Sequence, residues 1–548
     1  MNAIILLLLA LCGFFLSYKF YATFLQDKIF KLETNLITPA HQINDGLDYV
    51  PTRKSILFGH HFATIAGLGP ILGPAIGVIW GWLPAFLWIV FGSIFLGAVH
   101  DFSILIVSLK NKGLYIGELA EKFIGKRVKI IFQVLVFFML SLAMGVFVLI
   151  IAILFNMYKE AVIPTLSLIF IAIIIGILFR KYNLNLITGA LIGLILISLS
   201  IILGVKYPIV NVSQTAWICI LLFYAYFASV LPVWLLLQPR DYLNAYLLFF
   251  GLISMFLGIL IIRPEIVAPA INNRAPDLPP LFPFLFITIA CGAISGFHNL
   301  ASSGTTVRQL DRTKDAKLIG YGGMLTEGLL ATLVLIAVSA GITKAKWFSH
   351  YESWAKAGGL QPKLEAFITG ASSFLSKLGI PTSIGQLLLS IMVVSFALTT
   401  LDSATRLLRY NVEELSRTVK FKYLQNRFIS TLIAIAAIGY FALMKAGNQP
   451  IGLILWKLFG STNQLLAALG LLVITMFVIK NKSNPVYVFI PMLFILTMTI
   501  WAIIAQLINF IGVENKIYSL IILSILILFL TIWLLIETII SYLKLKKN

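Results

Sequence analysis

FGHHFATIAGLGPILGPAIG, residues 58–77, decides the fold class. The stretch is apolar enough to enter a membrane, yet it holds Gly67, Gly69, Pro70, Gly73 and Pro74, too many breakers for one continuous helix. Interrupted backbone at membrane depth survives only where protein buries it or where it lines a cavity. The stretch therefore predicts a broken helix at a solute or ion site. The surrounding chain has the same solvent. Of 548 residues, 60% are hydrophobic and 11% charged, with a mean hydropathy of +0.99, whereas soluble domains carry about 25% charged residues. Its 41 basic and 21 acidic side chains cannot cover so large a particle in water, which excludes a soluble enzyme of this length.

Runs of about 20 apolar residues mark spanning helices. Scanning for them predicts an all-α polytopic membrane protein of about fifteen helices, near 3–25, 57–80, 84–109, 128–157, 162–179, 184–204, 216–237, 243–262, 281–303, 321–343, 383–405, 428–444, 453–479, 486–509 and 518–542. The positive-inside rule tests this count, because one missing helix scrambles the charge assignment. With the N-terminus outside and the C-terminus cytoplasmic, 28 of the 41 basic residues fall on the inward side and 12 on the outward side, counting Lys457 at the outward end of its helix, with Lys19 inside the first helix. The net charge of +20 is thus a topology signal: membrane lipid is the expected partner and nucleic acid is not. Met1–Ala10 has no basic n-region, so the first apolar run is expected to be a retained helix. Cys12, Cys219 and Cys291 lie singly in apolar segments, with neither disulfide nor metal spacing. No P-loop is present, which points away from an ATP-driven pump.

Two further segments look interrupted. FYAYFASVLPVWLLLQPRDY, residues 223–242, is expected to carry Pro232 in mid-helix, and CGAISGFHNLASSGTT, residues 291–306, gathers glycines and hydroxyls around His298. Broken helices matched in inverted halves point to a transport site, since half-helix N-termini face anions and freed carbonyls bind cations. The helix at 57 and the one at 216 run oppositely, five helices apart. This suggests a five-plus-five inverted repeat: 1–56 an N-terminal helix and connection, 57–215 the first repeat (helices two to six), 216–412 the second (helices seven to eleven), and 413–548 accessory helices. Gly67, Gly69, Pro70, Gly73, Tyr226, Ser229, Pro232, Trp234, Ser295 and His298 are the candidate substrate-binding residues. The competing explanation is that Gly and Pro are common in membrane helices, where small residues let neighbours pack closely.

A charge at a helix centre costs about 2.5–3.5 kcal/mol on insertion scales and persists mainly where it is used. Of the 21 acidic residues only Asp101, Glu327, Asp402 and Glu537 fall within predicted helices, and His60, His61, His100 and His298 fall in helices or at their ends. All of these except Glu537 lie in the inward-facing half of the expected topology. Together with Ser302, Ser303 and Thr305 they form a candidate proton- or ion-coupling region. Each can instead be an interhelical tie, and Asp402 has Arg406 four residues on, on the same helical face. His60, His61 and His298 lack metal-ligand spacing, so no metal is expected. No catalytic residue and no cofactor is assigned.

Several stretches together resemble the carbon starvation protein A (CstA) family of membrane transporters: NDGLDYVPT (44–52), FGHHFATIAGLGPILGP (58–74), GWLPAFLWIVFGSIFLGAVHDF (81–102), LPVWLLLQPRDYLN (231–244), ISGFHNLASSGTTVRQL (294–310), YGGMLTEGLLA (321–331), LDSATRLLRY (401–410) and LFGSTNQLLAALGLL (458–472). The resemblance implies an inner-membrane transporter used when carbon is scarce, taking peptides or pyruvate with proton coupling, and a LeuT-type inverted repeat. The expectation is a secondary active transporter, a proton symporter for small carboxylate nutrients that works by alternating access. The alternative is a channel, which needs a continuous pore and usually a ring of subunits. No repeated filter sequence is visible. An intramembrane protease would need a motif such as H-E-x-x-H, which the chain lacks. Oligomeric state is not legible.

Overall fold

The computed structural model describes residues 1–33, 35–354, 360–446, 449–450, 452–512 and 517–547. Apart from a two-residue strand pair, Lys445–Ala446 with Gln449–Pro450, its regular structure is helical. Eleven helices among the described residues are long and apolar enough to cross a membrane, or up to twelve if a bent pair counts as one span. In chain order they begin with α1 (Ala3–Ile29), the pair α2 (Lys54–Ile65) and α3 (Gly69–Trp80) meeting at 45°, α4 (Trp82–Lys110), α5 (Lys126–Met157), α6 (Lys159–Lys181) and α7 (Leu186–Lys206). A shorter apolar helix, α8 (Gln214–Val230), precedes α9 (Leu237–Ile262). Then come a second interrupted run, α10 (Leu281–Thr288) and α11 (297–309), and α12 (Thr313–Ala340). The chain continues with α13 (Leu360–Ser376), α14 (Thr382–Thr418), the short α15 (Arg427–Leu443), α16 (Gly452–Lys480), α17 (Val486–Gly512) and α18 (Tyr518–Lys546).

Burial separates the scaffold from its surroundings. The most apolar window of α5 and of α12 is 83% buried, whereas that of α7 is 28% buried. The α6–α7 hairpin turns Phe170, Ile174, Ile187 and Leu191 outward, the pattern of a surface wetted by hydrocarbon. Connections gather at two ends. At one, the Lys110 ammonium donates to the Phe30 and Lys31 carbonyls, the Thr52 amide to Gln309, and the Lys480 ammonium to Lys122. At the other, Asn2 bonds the Arg263 carbonyl, Trp82 bonds Pro269, and Asn272 bonds Trp80. The first end carries the basic connections counted above.

Pro232 departs from its expected mid-helix place. Helix α8 stops at Val230, and residues 231–236 form no helix. The cause is local: proline drives the residue before it out of the helical region, and Leu231 is extended, with φ −64° and ψ 149°. Helix α9 then starts at Leu237, six residues before its expected start at 243, and draws Arg240 and Asp241 out of the predicted connection into a buried helix.

Candidate functional site

The two breaks that face each other are 66–68, between α2 and α3, and 289–296, between α10 and α11. A Cβ on Gly69 would collide with the Cys291 side chain, one on Gly73 would lie 2.9 Å from the Thr288 carbonyl oxygen, and one on Gly292 would lie 2.7 Å from Ala331 Cβ. Glycine at 69 and 73 lets the two interrupted helices cross in close contact, and glycine at 292 lets the second break lie against α12. Side chains satisfy polar groups freed at the breaks. Thr399 Oγ1 donates to the Ala63 carbonyl at 3.0 Å and Thr400 Oγ1 to that of Thr64 at 3.2 Å, both from α14. On the second break, Trp88 Nε1 donates to Ile289 at 3.0 Å, Ser93 Oγ to Gly292 at 3.0 Å, and the Phe297 amide to Asn463 Oδ1 at 2.9 Å. Asn463 also bonds Ser295.

Between the breaks lies a cavity of about 20 Å³ bordered by Gly67, Gly69, Phe147, Ser295, Thr400 and Phe459 among others. It has room for about one water, so its walls must part to admit any organic solute. Of the candidate substrate residues, Gly67, Gly69 and Ser295 border it, while Pro70 and Gly73 pack beside it against the second break. Tyr226 is half-buried on α8 with its ring against Phe227, and Ser229 is buried near the end of that helix. Pro232 and Trp234 border two other clefts at the basic end. The structure does not bring these four to the breaks.

Beside the second break, four ionisable side chains with no solvent exposure form one chain. Asp101 Oδ1 is 2.8 Å from His100 Nδ1, and Asp101 Oδ2 is 2.8 Å from His298 Nδ1. His298 Nε2 lies 3.3 Å from Glu327 Oε2. His298 thus stands between two carboxylates supplied by α4 and α12. Each contributing helix widens to a π-turn nearby, at Ser93–Gly97, Ser302–Thr306 and Lys317–Gly322, and such turns recur at functional sites. The hydroxyls have separate partners. Ser303 Oγ donates to Asn299 and accepts the Ile116 amide, Thr305 Oγ1 donates to Ala301, and Thr306 Oγ1 meets His61 Nδ1 at 2.8 Å. Ser302 is buried with its Oγ outside any hydrogen bond.

His60 belongs to a second buried network. Its Nδ1 lies 2.6 Å from Asp241 Oδ2, Asp241 Oδ1 takes Arg240 Nη2 at 2.9 Å, and Arg240 Nη1 donates to the Tyr224 hydroxyl at 2.7 Å. Arg240 and Tyr224 both contact Asp402. Asp402 therefore does not take Arg406, the partner expected one turn on. Arg406 reaches Asp48 and the Ala228 and Leu231 carbonyls instead. Arg240, Asp241 and Tyr224 were not foreseen, although the adjacent Arg-Asp of LPVWLLLQPRDYLN was in plain view. Glu537 pairs with Arg127 at 3.2 Å, far from both networks in the chain's last helix. Among the described residues, no group of three or more His, Cys, Asp or Glu side chains is arranged to hold a metal ion.

Comparison with known proteins places this architecture. The family described as carbon starvation protein CstA matches residues 2–361 and 351–502. A peptide transporter CstA of Campylobacter jejuni is 33% identical, covering 91% of this chain and 80% of that one. A pyruvate/proton symporter BtsT of Escherichia coli is 31% identical, covering 89% and 80%. Among solved structures, the manganese transporter of Eremococcus coleocola aligns with a TM-score of 0.54 at 12% identity, covering 92% of this chain and 99% of that one. At that identity the likeness concerns fold alone. On its family match and its relatives, the chain belongs to the carbon starvation protein CstA family.

Proposed function

We propose that this protein is a secondary active transporter that takes up peptides or pyruvate with protons by alternating access in the cell's inner membrane. The observation that carries the reading is the Asp101–His298–Glu327 chain, which sits without solvent exposure beside two facing helix breaks. Relatives named for peptide transport and for pyruvate/proton symport support the substrate class and the coupling ion. A proton taken by this chain changes the charge of a buried site, and a buried charge is tolerated only in a packing that supplies its partner. Protonation thereby favours one arrangement of α4, α11 and α12 over another. A substrate carboxylate would meet half-helix ends at the breaks.

The reading includes fifteen crossings, with the basic end cytoplasmic and the N-terminus outside, counting each interrupted run as one span and α8 and α15 as short spans. It also includes a five-plus-five repeat with a membership that differs from the expected 57–215 and 216–412. The first set is α2/α3, α4, α5, α8 and α9; the second is α10/α11, α12, α14, α15 and α16; the α6–α7 hairpin is an insertion. What supports this is the pairing of packed helices: α5 with α14, α4 with α12, α8 with α15, α2 with α9, and α10 and α11 with α16. Purified protein in liposomes tests the transport claim. Labelled pyruvate or dipeptide should accumulate only when an inward proton gradient is imposed, and accumulation indifferent to the gradient would remove the proton.

A further inference from the structure

A cleft of about 770 Å³ opens at the basic end, between the α6–α7 hairpin and the bundle. Arg53, Arg180, Asn183, Asn185, Trp234 and Gln238 line it, and no Asp or Glu does. Neither arginine is in an ion pair among the described residues. Arg180 lies over the Trp234 ring at 4.2 Å, a stacking that leaves the edge of its guanidinium free to donate. The N-terminal ends of three helices border the same space: α2 after Arg53, α7 after Asn185 and α9 at Leu237. Their dipoles add positive potential to that of the arginines. The transport reading uses none of these groups.

We infer that this cleft binds the phosphodiester headgroup of an anionic membrane lipid. Guanidinium groups recognise phosphate oxygens with paired donors, and basic pockets between helices at the cytoplasmic face are where anionic headgroups dock. A soluble phosphate ester carries the same anionic group. The choice of lipid rests on what adjoins the cleft: Phe170, Ile174, Ile187 and Leu191 are exposed on the hairpin that forms its wall, an apolar surface along which acyl chains can lie.

The test is native mass spectrometry of the full-length protein, delipidated and titrated with dioleoyl phosphatidylglycerol, dioleoyl phosphatidylcholine or sn-glycerol 3-phosphate. Wild type should retain phosphatidylglycerol in preference to phosphatidylcholine. Arg53→Gln and Arg180→Gln should each weaken that retention by about fivefold, the contribution of one basic residue near an anionic surface. Lys181→Gln removes the same charge beside the cleft without touching its lining and should leave retention unchanged. Both arginines are exposed, so unfolding is not expected, and an unchanged thermal midpoint checks this. Undiminished retention in the double arginine variant, or equal loss in Lys181→Gln, would overturn the assignment. Displacement of phosphatidylglycerol by equimolar sn-glycerol 3-phosphate would make the cleft a soluble-anion site instead.

Discussion

At the scale of single residues, the cost of an unpaired charge sets the expectations. Arg240 is 2% exposed and Asp241 and Asp402 are fully buried around it, so Arg240→Met leaves two carboxylates without their cation. Removing one partner of a buried pair costs about 3–5 kcal/mol. The variant should therefore unfold at a markedly lower temperature in detergent, and adding Asp402→Asn should recover part of the loss. Lys363, outside the candidate spans, is fully buried, donates to the His350 carbonyl at 2.6 Å and lies 3.8 Å from the Tyr351 ring centroid. Burial pushes its amine down to about 7. The unfolded lysine keeps its proton to higher pH, so between about 7 and 10 the unfolded state binds more protons and stability rises with pH. Protection factors along α13, the exchange rates taken relative to the intrinsic rate at each pH, should rise by up to about tenfold per pH unit in that window, and Lys363→Met should flatten the dependence. Which residues matter was partly legible, because charge is scarce in this chain: His100, Asp101, His298 and Glu327 stand out by type alone. Their pairing was not, since Asp101 and His298 are 197 positions apart. Arg240 and Asp241 were not legible, because charged residues end an apolar run and so fall outside a helix recognised by apolarity, whereas α9 contains both.

At the scale of elements, the first broken helix was readable from its glycines and prolines, whose backbone limits are local. Its partner was harder to choose. Two later segments carried similar signals, and only tertiary contact selects 289–296 over the segment around Pro232, whose proline separates two helices at the basic end. Crossing at backbone contact makes the glycines sensitive. Gly73→Ala places a methyl against the Thr288 carbonyl and Ile289 Cα, at 2.9 and 3.1 Å. Overpacking of this kind costs about 1–3 kcal/mol. Thermal unfolding should show that loss for Gly73→Ala and essentially none for Gly512→Ala, where an added Cβ meets nothing within 4 Å. Helix number illustrates another limit of composition. Length and apolarity alone recognise eleven or twelve spans among the described residues; the proposed fifteen adds the second interrupted run and the short helices α8 and α15, for which length and composition are no guide.

At the scale of the whole molecule, two buried networks tie the bundle at different places. The Asp101–His298–Glu327 chain joins α4, α11 and α12, and the Arg240 cluster joins α2, α8, α9 and α14. With about 20 Å³ between the breaks, this conformation leaves no room there for pyruvate or a peptide, and on the proposed reading transport uses a second packing in which the walls separate. Coupling free energies of about 1–3 kcal/mol between sites correspond to about 5–150-fold, enough for a proton to bias such an exchange. The most direct measurement follows the proton itself: a pH-sensitive dye inside proteoliposomes, read when pyruvate is added outside with no gradient imposed. Wild type should acidify the lumen as pyruvate enters, and His298→Gln should exchange labelled pyruvate across the membrane without acidification. Pyruvate entry in wild type with no change in luminal pH, or acidification undiminished in His298→Gln, would contradict the account.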